Sequence, residues 1–298
     1  GALPTAPDGW VDAAAAAEPA EPPQIANESS QVDESNLTFR TLSAPTGTDS
    51  RVASAPRGAN LGPALSFSAA DAEAALETAA VIDRVESAET NAERRRLILA
   101  ALERVERGEA RLHGRQSDAF RAPASGNLSD REFLNELVRV SATAREYDRR
   151  LEAIDALAAA TDGLSSPTRL DELQVALQVY EGPVRDLALA TARGEVSAVE
   201  VHVESTPRSV TLATVVDGEY VRETFRNDRW DRDGGPISND AAIEVTSESY
   251  PETAALREPD AFGAGSVQRI TIPHEYGRLR TFVSGGTERV FVEHQRID

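Results

Sequence analysis

Lysine, cysteine and methionine are all absent from this sequence of 298 residues. Without cysteine, the chain has no disulfide, no thiolate metal ligand and no cysteine nucleophile. Without lysine, it has no Walker-type phosphate-binding loop, which requires that residue after its glycines. The sequence also lacks an uninterrupted apolar run of about 18 residues, the usual minimum for a helix that crosses a membrane. We therefore expect any signal peptide or membrane anchor to lie outside this sequence.

The charge of the chain is one-sided, because 50 acidic residues face 31 basic residues and the formal net charge is -19. All the basic residues are arginines. At ordinary ionic strength such a charge opposes compact folding through self-repulsion, whereas molar salt shortens the Debye length to about 3 Å and screens the repulsion. The composition thus predicts a protein that works in concentrated salt. The same negative charge argues against nucleic acid and anionic membrane surfaces as partners.

The first 64 residues differ in composition from the rest of the chain. They hold half of the 16 prolines, and their aromatic residues are limited to Trp10 and Phe39. Apolar side chains are so sparse in this segment that their burial would not offset the entropy lost on ordering it. We therefore predict that residues 1–64 form a disordered, extended tether.

Residues 65–194 carry the apolar spacing of amphipathic helices. Between Phe133 and Ala158 the apolar positions advance by alternating steps of four and three residues. Ser129 and Glu132, just before this run, have the spacing of a capping box at a helix start. Each helix then has one narrow apolar seam, which favours lengthwise packing. This region is predicted to be an antiparallel helical bundle or a coiled-coil hairpin.

Residues 195–298 change to an apolar period of two, which is typical of half-buried strands. The alternation is clearest from Val199 onward, and residues 243–245 are predicted as a further short strand. The pair Asp217 and Gly218 lies between two apolar runs and has the composition of a tight hairpin turn. Helices followed by strands indicate an α+β protein, with the tether and the helical region leading into a mainly antiparallel α+β domain.

Three Asn-x-Ser/Thr sequences are potential acceptors of N-linked glycans, and they begin at Asn27, Asn36 and Asn127. The first two lie in the predicted tether, where a glycan on an exported stalk is sterically reasonable. The third overlaps the cap at Ser129, so a helix start without any sugar explains it equally well. Together with the tether and the missing initiator methionine, these sequences predict an extracellular or cell-surface location. Membrane contact is expected only through segments outside this chain.

The segment around Asp228, Asp231 and Asp233 gathers short oxygen ligands next to Gly234, as calcium-binding loops do. An EF-hand also needs a glutamate six residues after its glycine, whereas Asp240 occupies that position. The interleaved arginines further oppose cation binding. We interpret the segment as a charged loop between strands, with a Ca²⁺ site as the alternative, and we predict no other cofactor.

The four histidines, His113, His202, His274 and His294, do not have the spacing of a metal-binding helix motif. No nucleophile elbow or dinucleotide-binding loop occurs either. Isolated surface or edge histidines are the simpler interpretation. A pair of catalytic carboxylates cannot be recognised in so acidic a sequence, so a hydrolase with a carboxylate or histidine site stays open as an alternative.

The lysine-free acidic composition, the sequon-bearing N-terminal segment and the strand at residues 220–225 resemble those of uncharacterised haloarchaeal proteins that are secreted or anchored at the cell surface. The resemblance implies a non-catalytic ectodomain that acts as a scaffold or interaction module. A protein partner would bind either the helical seam or the α+β domain. Two alternatives remain: a ligand-binding or sensor ectodomain with a pocket near the junction of helices and strands, and the hydrolase described above.

Export predicts that Asn27 and Asn36 carry glycans in the native host. Mass spectrometry of glycopeptides from native cells should then find both sites modified, since the tether is predicted to be accessible along its length. Unmodified peptides at both positions would argue strongly against export by this route.

Overall fold

A computed structural model describes residues 39–45, 48–55, 61–122, 128–164 and 168–298. These residues form seven α-helices and eight β-strands. The helices are α1 (Leu61–Glu86), α2 (Asn91–Arg121), α3 (Asp130–Ala159), α4 (Thr168–Gln178), α5 (Pro183–Arg193), α6 (Asn239–Ser249) and α7 (Pro251–Leu256). The strands are β1 (Asp49–Ala55), β2 (Val199–Thr206), β3 (Ser209–Val216), β4 (Glu219–Arg226), β5 (Asp260–Phe262), β6 (Val267–His274), β7 (Gly277–Ser284) and β8 (Arg289–Ile297). The predicted α+β class is therefore confirmed.

The capping box predicted at Ser129 is present at the start of α3. The Ser129 hydroxyl accepts a hydrogen bond from the Glu132 amide at 3.3 Å, and the Glu132 carboxylate accepts one from the Ser129 amide at 2.9 Å. Helices α2 and α3 run antiparallel, since Arg115 contacts Glu136 near one end while Arg95 contacts Asp162 near the other. Among the described residues, no helix combines the length and apolar character that crossing a bilayer requires.

The eight strands form one sheet in the order β1-β2-β3-β4-β8-β7-β6-β5, and each pair is antiparallel. The predicted hairpin at Asp217 and Gly218 joins β3 to β4, and both residues have positive φ angles of 51° and 91°. Positive angles at both central residues are the requirement that favours Asp-Gly turns.

The strand predicted at residues 243–245 is wrong, because these residues lie within α6. Two apolar residues separated by one polar residue are too few to distinguish a strand from one turn of helix. The helix start is set instead by Ser238, whose hydroxyl accepts a hydrogen bond from the Ala241 amide at 3.2 Å. The helix packs on β6, β7 and β8.

Helices cover the two faces of the sheet unequally. On the first face, α2, α3 and α5 pack against the strands through a shared core that includes Phe120, Phe133, Val184, Val201, Phe225 and Phe291. On the second face, α6 and α7 pack against β6, β7 and β8 through a separate core that includes Tyr250, Ile270, Ile272, Leu279 and Val283. Part of the second face therefore stays open, and Val52 and Val215 are respectively 59% and 66% exposed there.

An inserted residue in β8 changes which side chains face each layer. Phe282 of β7 pairs with Val292, but the next β7 residue pairs with Val290, so Phe291 has no partner of its own. This is a β-bulge, in which the inserted residue and its neighbour point to the same side. Phe291 and Val292 accordingly both belong to the core of the first face. Glu293 is thereby directed to the second face and His294 to the first.

The prediction that residues 1–64 form a continuous disordered tether is wrong for part of that range. Strand β1 pairs along its whole length with β2, and Leu42 is only 6% exposed. Composition did not predict β1, because a strand at a sheet edge gains its backbone hydrogen bonds from a strand that is distant in the sequence. The local apolar content does not reveal such a pairing. Residues 1–38 lie outside the described part of the chain, as do Asn27 and Asn36.

A buried ion pair joins the helical layer to the sheet. The carboxylate of Glu223 in β4 accepts hydrogen bonds from the guanidinium of Arg185 in α5 at 2.6 Å and from the Val184 amide at 3.0 Å. The same guanidinium donates to the carbonyl of Tyr180, at the end of the preceding helical segment, at 2.6 Å. A Cβ atom on Gly182 would overlap the Glu223 carboxylate, so any other residue at the start of α5 would displace this carboxylate from the ion pair.

Replacing Glu223 with alanine should lower the free energy of unfolding by about 3–5 kcal/mol, because Arg185 would be left buried without its counter-charge. Chemical denaturation measures this change. The matched control is Glu200→Ala on β2, where the side chain is exposed and a change within about 0.5 kcal/mol is expected. Equal effects of the two substitutions would contradict the role given to the buried pair.

Candidate functional site

A cavity of about 350 Å³ opens where the connection between α4 and α5 crosses strands β7 and β8. We call it the junction cavity. Its ionisable lining comes from two parts of the chain, the α4–α5 region and the two strands. These lining residues are Glu181, Asp186, Arg278, Arg280, His294 and Arg296.

Strand register explains why basic residues converge there. Arg280 of β7 pairs with His294 of β8, and Arg278 pairs with Arg296 two positions further along. Side chains two positions apart on a strand point to the same face of the sheet. All four side chains therefore face the helical layer, where the α4–α5 connection lines the same cavity, although Arg278 is still exposed to solvent. His294 also pairs with Glu223 of β4, which places the cavity beside the buried ion pair.

The arginines of the junction cavity are poorly compensated by acidic residues. Arg296 lies 3.4 Å from Glu219, but no described residue forms an ion pair within 4.0 Å of Arg278 or Arg280. Burial lowers the pKa of Arg280, and the neighbouring Arg269 and Arg278 lower it further. Asp186, on the opposite wall, is already paired with Arg145. A chain with a net charge of -19 thus concentrates uncompensated positive charge at this position.

The acidic member of the cavity, Glu181, is held in an unusual state. Burial raises the pKa of its carboxyl to about 7, and the charge of Asp148 raises it too, while Arg145 and Arg280 act in the opposite direction. Its Oε1 atom is buried and has no hydrogen-bond partner among the described residues. Near neutral pH the carboxyl is therefore distributed between its protonated and ionised forms.

His294 is a neutral imidazole in this environment. Burial lowers its pKa well below the ordinary range, and the positive charges of Arg280 and Arg185 lower it further. A hydrogen bond to the backbone of Glu181 acts in the opposite direction. Its Nε2 atom is buried and lacks a partner within the described part of the chain. Such an unpaired buried polar atom is unfavourable unless a ligand or water completes its hydrogen bonding.

This set of groups is suited to holding an anion. Guanidinium groups present several N–H donors in a plane, which matches the oxygen pairs of carboxylate and phosphate groups. The protonated form of Glu181 can donate a further hydrogen bond. Among the described residues, the ring of His294 is oriented by the backbone of Glu181 rather than by a carboxylate.

A second cavity, of about 380 Å³, lies between α1, α2 and α3. Its charged lining residues are largely engaged with neighbours: Asp71 pairs with Arg193, Glu77 with Arg150, and Arg115 and Arg139 with Glu136. Its remaining walls include Phe67 and several alanines. Because these charges already have partners, this cavity provides fewer free groups for a ligand than the junction cavity does.

The proposed cation loop is organised by arginines. Asp228 accepts two hydrogen bonds from Arg226, at 2.8 and 2.6 Å, and Asp231 accepts one from the Asp233 amide at 3.1 Å. Arg232 anchors the loop by binding both carboxylate oxygens of a helix residue, Glu109, at 2.8 and 2.6 Å. In the described part of the chain, no three His, Cys, Asp or Glu side chains are placed to hold a metal ion. The acceptor Asn127 lies outside the described residues.

The other histidines lie in different surroundings from His294. His113 in α2 contacts the edge of Trp230, and His274 in β6 stacks on Phe39. His202, on the open second face, has its Nε2 atom 3.1 Å from the Ser50 hydroxyl and 3.6 Å from the Glu204 carboxylate.

Sequence reasoning missed the arginines of the junction cavity entirely. The available signal was two adjacent strands with a basic residue at alternate positions, Arg278 and Arg280 in one and His294 and Arg296 in the other. Pairing between these strands places the four residues on one face. No sequence pattern predicted that the α4–α5 connection would lie over these residues.

Comparison with known families gives two matches. Residues 2–197 match a domain of unknown function, DUF7096, and residues 201–298 match a family of unknown function, DUF7094. No curated protein and no solved structure matches the sequence. Glu181 and Asp186 come from the first matched segment, and the basic lining residues come from the second. The junction cavity is therefore built from both.

The titration of Glu181 should make stability depend on pH. Since its folded pKa of about 7 exceeds the ordinary 4.5, the protonated carboxyl stabilises the fold below about pH 4.5, and this contribution is lost as the pH rises through about 7. The difference of about 2.5 between the two pKa values, at about 1.4 kcal/mol per pKa unit, corresponds to a change in the free energy of unfolding of about 3 kcal/mol. Glu181→Gln should remove this dependence in denaturation curves between about pH 5 and pH 8.

The control for this titration is Glu244→Gln, a change of an exposed glutamate in α6. It should keep the pH dependence of the wild-type protein. If Glu181→Gln also keeps it, then Glu181 is ionised at ordinary pH and the charge balance assigned to the cavity is incorrect.

Proposed function

Because the chain belongs to the DUF7096 family, whose function is unknown, we propose its function from the junction cavity: the protein is a non-catalytic binding module for a small anionic solute. The carrying observation is the pair Arg278 and Arg280, which line a cavity without any ion-pair partner among the described residues. A carboxylate or phosphate group is the complementary chemistry.

A bound anion would compensate the charge and complete the hydrogen bonds of the cavity arginines. The partly buried guanidinium of Arg280 has lost part of its hydration, and a bidentate anion restores both its hydrogen bonds and its charge balance, while the exposed Arg278 adds a second donor at the rim. Glu181 opposes such a ligand when it is ionised and supports it when it is protonated. The module should therefore hold its anion more tightly in mildly acidic than in alkaline solution.

Binding is favoured over hydrolysis by the state of the histidine. A general base needs a proton acceptor near the reacting atom and a group that orients it. Burial and the charges of Arg280 and Arg185 hold the pKa of His294 well below its ordinary range, which makes its imidazole a weak proton acceptor. The alternative of a carboxylate or histidine hydrolase therefore has no particular site to support it, whereas a ligand-binding or sensor role has one.

We also propose that the module works in concentrated salt at the cell surface, where it would serve as a scaffold or interaction element. The support is compositional: a net charge of -19, the absence of lysine, and two sequons among the first 38 residues. High salt screens the acidic surface, but it also supplies competing anions. A ligand in brine must therefore bind through geometry as well as charge.

Thermal unfolding in the presence of an anion panel tests the binding function. Phosphate, sulfate, citrate and acetate are each exchanged for chloride at constant ionic strength. A bound anion should raise the unfolding midpoint of the wild-type protein by about 2–4 °C for each kcal/mol of binding linkage. Arg280→Ala should abolish the increase, since it removes one of the two unpaired guanidinium groups.

The matched control is Arg257→Ala, a change of an exposed arginine that follows α7 and lies outside the cavity lining. It removes one positive charge, as Arg280→Ala does, and should keep the response to anions. Loss of the response in both variants would indicate a general charge effect, and no response to any anion in the wild-type protein would refute the proposed function.

A further inference from the structure

The second face of the sheet holds an extended segment of the chain itself. Residues 39–45 have no regular secondary structure, and they lie over β4 and β8 before the chain reaches β1 at the sheet edge. This segment is independent of the junction cavity, which lies on the opposite face. We call the surface beneath it the seat, formed by Arg222, Arg226, Tyr250, Glu293 and Gln295.

The seat recognises the backbone of the segment. Arg222 donates a hydrogen bond to the Leu42 carbonyl at 2.9 Å, and the Leu42 amide donates to the Glu293 carboxylate. Arg222 and Glu293 also pair with each other, so one ion pair holds both polar groups of a single residue. Two further carbonyls are held by seat side chains: that of Arg40 by Gln295 and that of Ser43 by Arg226.

Among residues 40–43, only the side chain of Leu42 is inserted into the protein, while Phe39 stacks on His274 at the start of the segment. Leu42 is 6% exposed and packs in the core formed by α6, α7 and the strands beneath them. Its neighbours Thr41 and Ser43 are exposed. Backbone contacts together with one apolar anchor are the features by which binding sites recognise extended peptides of varied sequence.

With the segment in place, the charged groups of the seat are buried and hydrogen-bonded. Glu293 is fully buried and Arg222 is 8% exposed, measured on their side chains. The Tyr250 hydroxyl donates to the same carboxylate at 2.7 Å. Without a segment above them, Glu293 would lose the bond from an amide and Arg222 would lose its carbonyl acceptor. Water or another peptide backbone would then have to replace these two hydrogen bonds.

The segment is joined to the rest of the protein by side chains alone. Within the described residues, no backbone-to-backbone hydrogen bond links residues 39–45 to another element. This differs from β1, whose ladder with β2 runs along the entire strand. Side chains of the seat therefore hold the backbone of the segment, as they would hold a bound peptide.

From these contacts we propose that the seat is a peptide-binding site for an extended segment with one aliphatic anchor residue, and that residues 39–45 are its resident occupant. An extended peptide of the same pattern from a partner protein competes for the same five side chains. This function does not depend on anion binding at the junction cavity.

The test uses the full chain with a protease site inserted between Thr46 and Gly47. After folding and cleavage, a fluorescent peptide with the sequence of residues 38–46 is added, and its binding is followed by anisotropy. The peptide should displace the cleaved segment and bind saturably. A Leu42→Asp peptide should bind at least about tenfold more weakly, because a charge would enter the anchor pocket. A Thr41→Asp peptide should bind as the wild-type peptide does.

A second measurement covers the case in which the cleaved protein unfolds. The intact Leu42→Asp chain keeps every covalent connection but loses its anchor, and it should bind the added wild-type peptide while the intact wild-type chain does not. The proposal is overturned if the peptide fails to bind both proteins, if a hundredfold excess never displaces the cleaved segment, or if the Leu42→Asp peptide binds as well as the wild-type peptide.

Discussion

The ion pair between Arg185 and Glu223 is the interaction on which the arrangement of helices over the sheet depends. It is almost completely buried, and it satisfies backbone groups at the end of one helical segment and the start of the next. Removing either partner would leave a charge in the interior, so the two matched segments of the chain cannot separate there without a large penalty. The position of α5, and with it the roof of the junction cavity, follows from this contact.

The overall charge of the chain and the charges of its internal residues differ in sign and in role. Across the whole chain, acidic residues outnumber basic ones and give a formal net charge of -19. Inside, the decisive groups are arginines: Arg185 in the interlayer pair, Arg222 in the seat and Arg232 against Glu109. Arginine stays protonated when buried and donates several hydrogen bonds in a fixed plane. Because this chain contains no lysine, arginine fills every internal cationic role.

Signals between neighbouring residues predicted several elements correctly, although the strand predicted at residues 243–245 is wrong, and contacts between distant residues were not predicted. The capping box at Ser129 and the Asp217–Gly218 turn depend only on neighbouring residues, and both are present. Strand β1 and the buried Leu42 depend on partners about 150 and 250 residues away. The junction cavity falls between these cases, because the alternating basic residues of β7 and β8 were visible in the sequence. What placed them under a roof was the packing of α5, which no periodicity reveals.

The inserted residue in β8 sets the phase of everything that follows it in that strand. Phe291 shifts the alternation by one position, so that Glu293 serves the layer on one side of the sheet while His294 serves the layer on the other. A deletion at this point would exchange the two, placing an acid among the arginines and an imidazole under the extended segment. The direction of the side chains on both faces thus depends on the same inserted residue. Among related sequences, the length of β8 should vary much less than its individual residues do, since a change of one residue in length would disable both surfaces together.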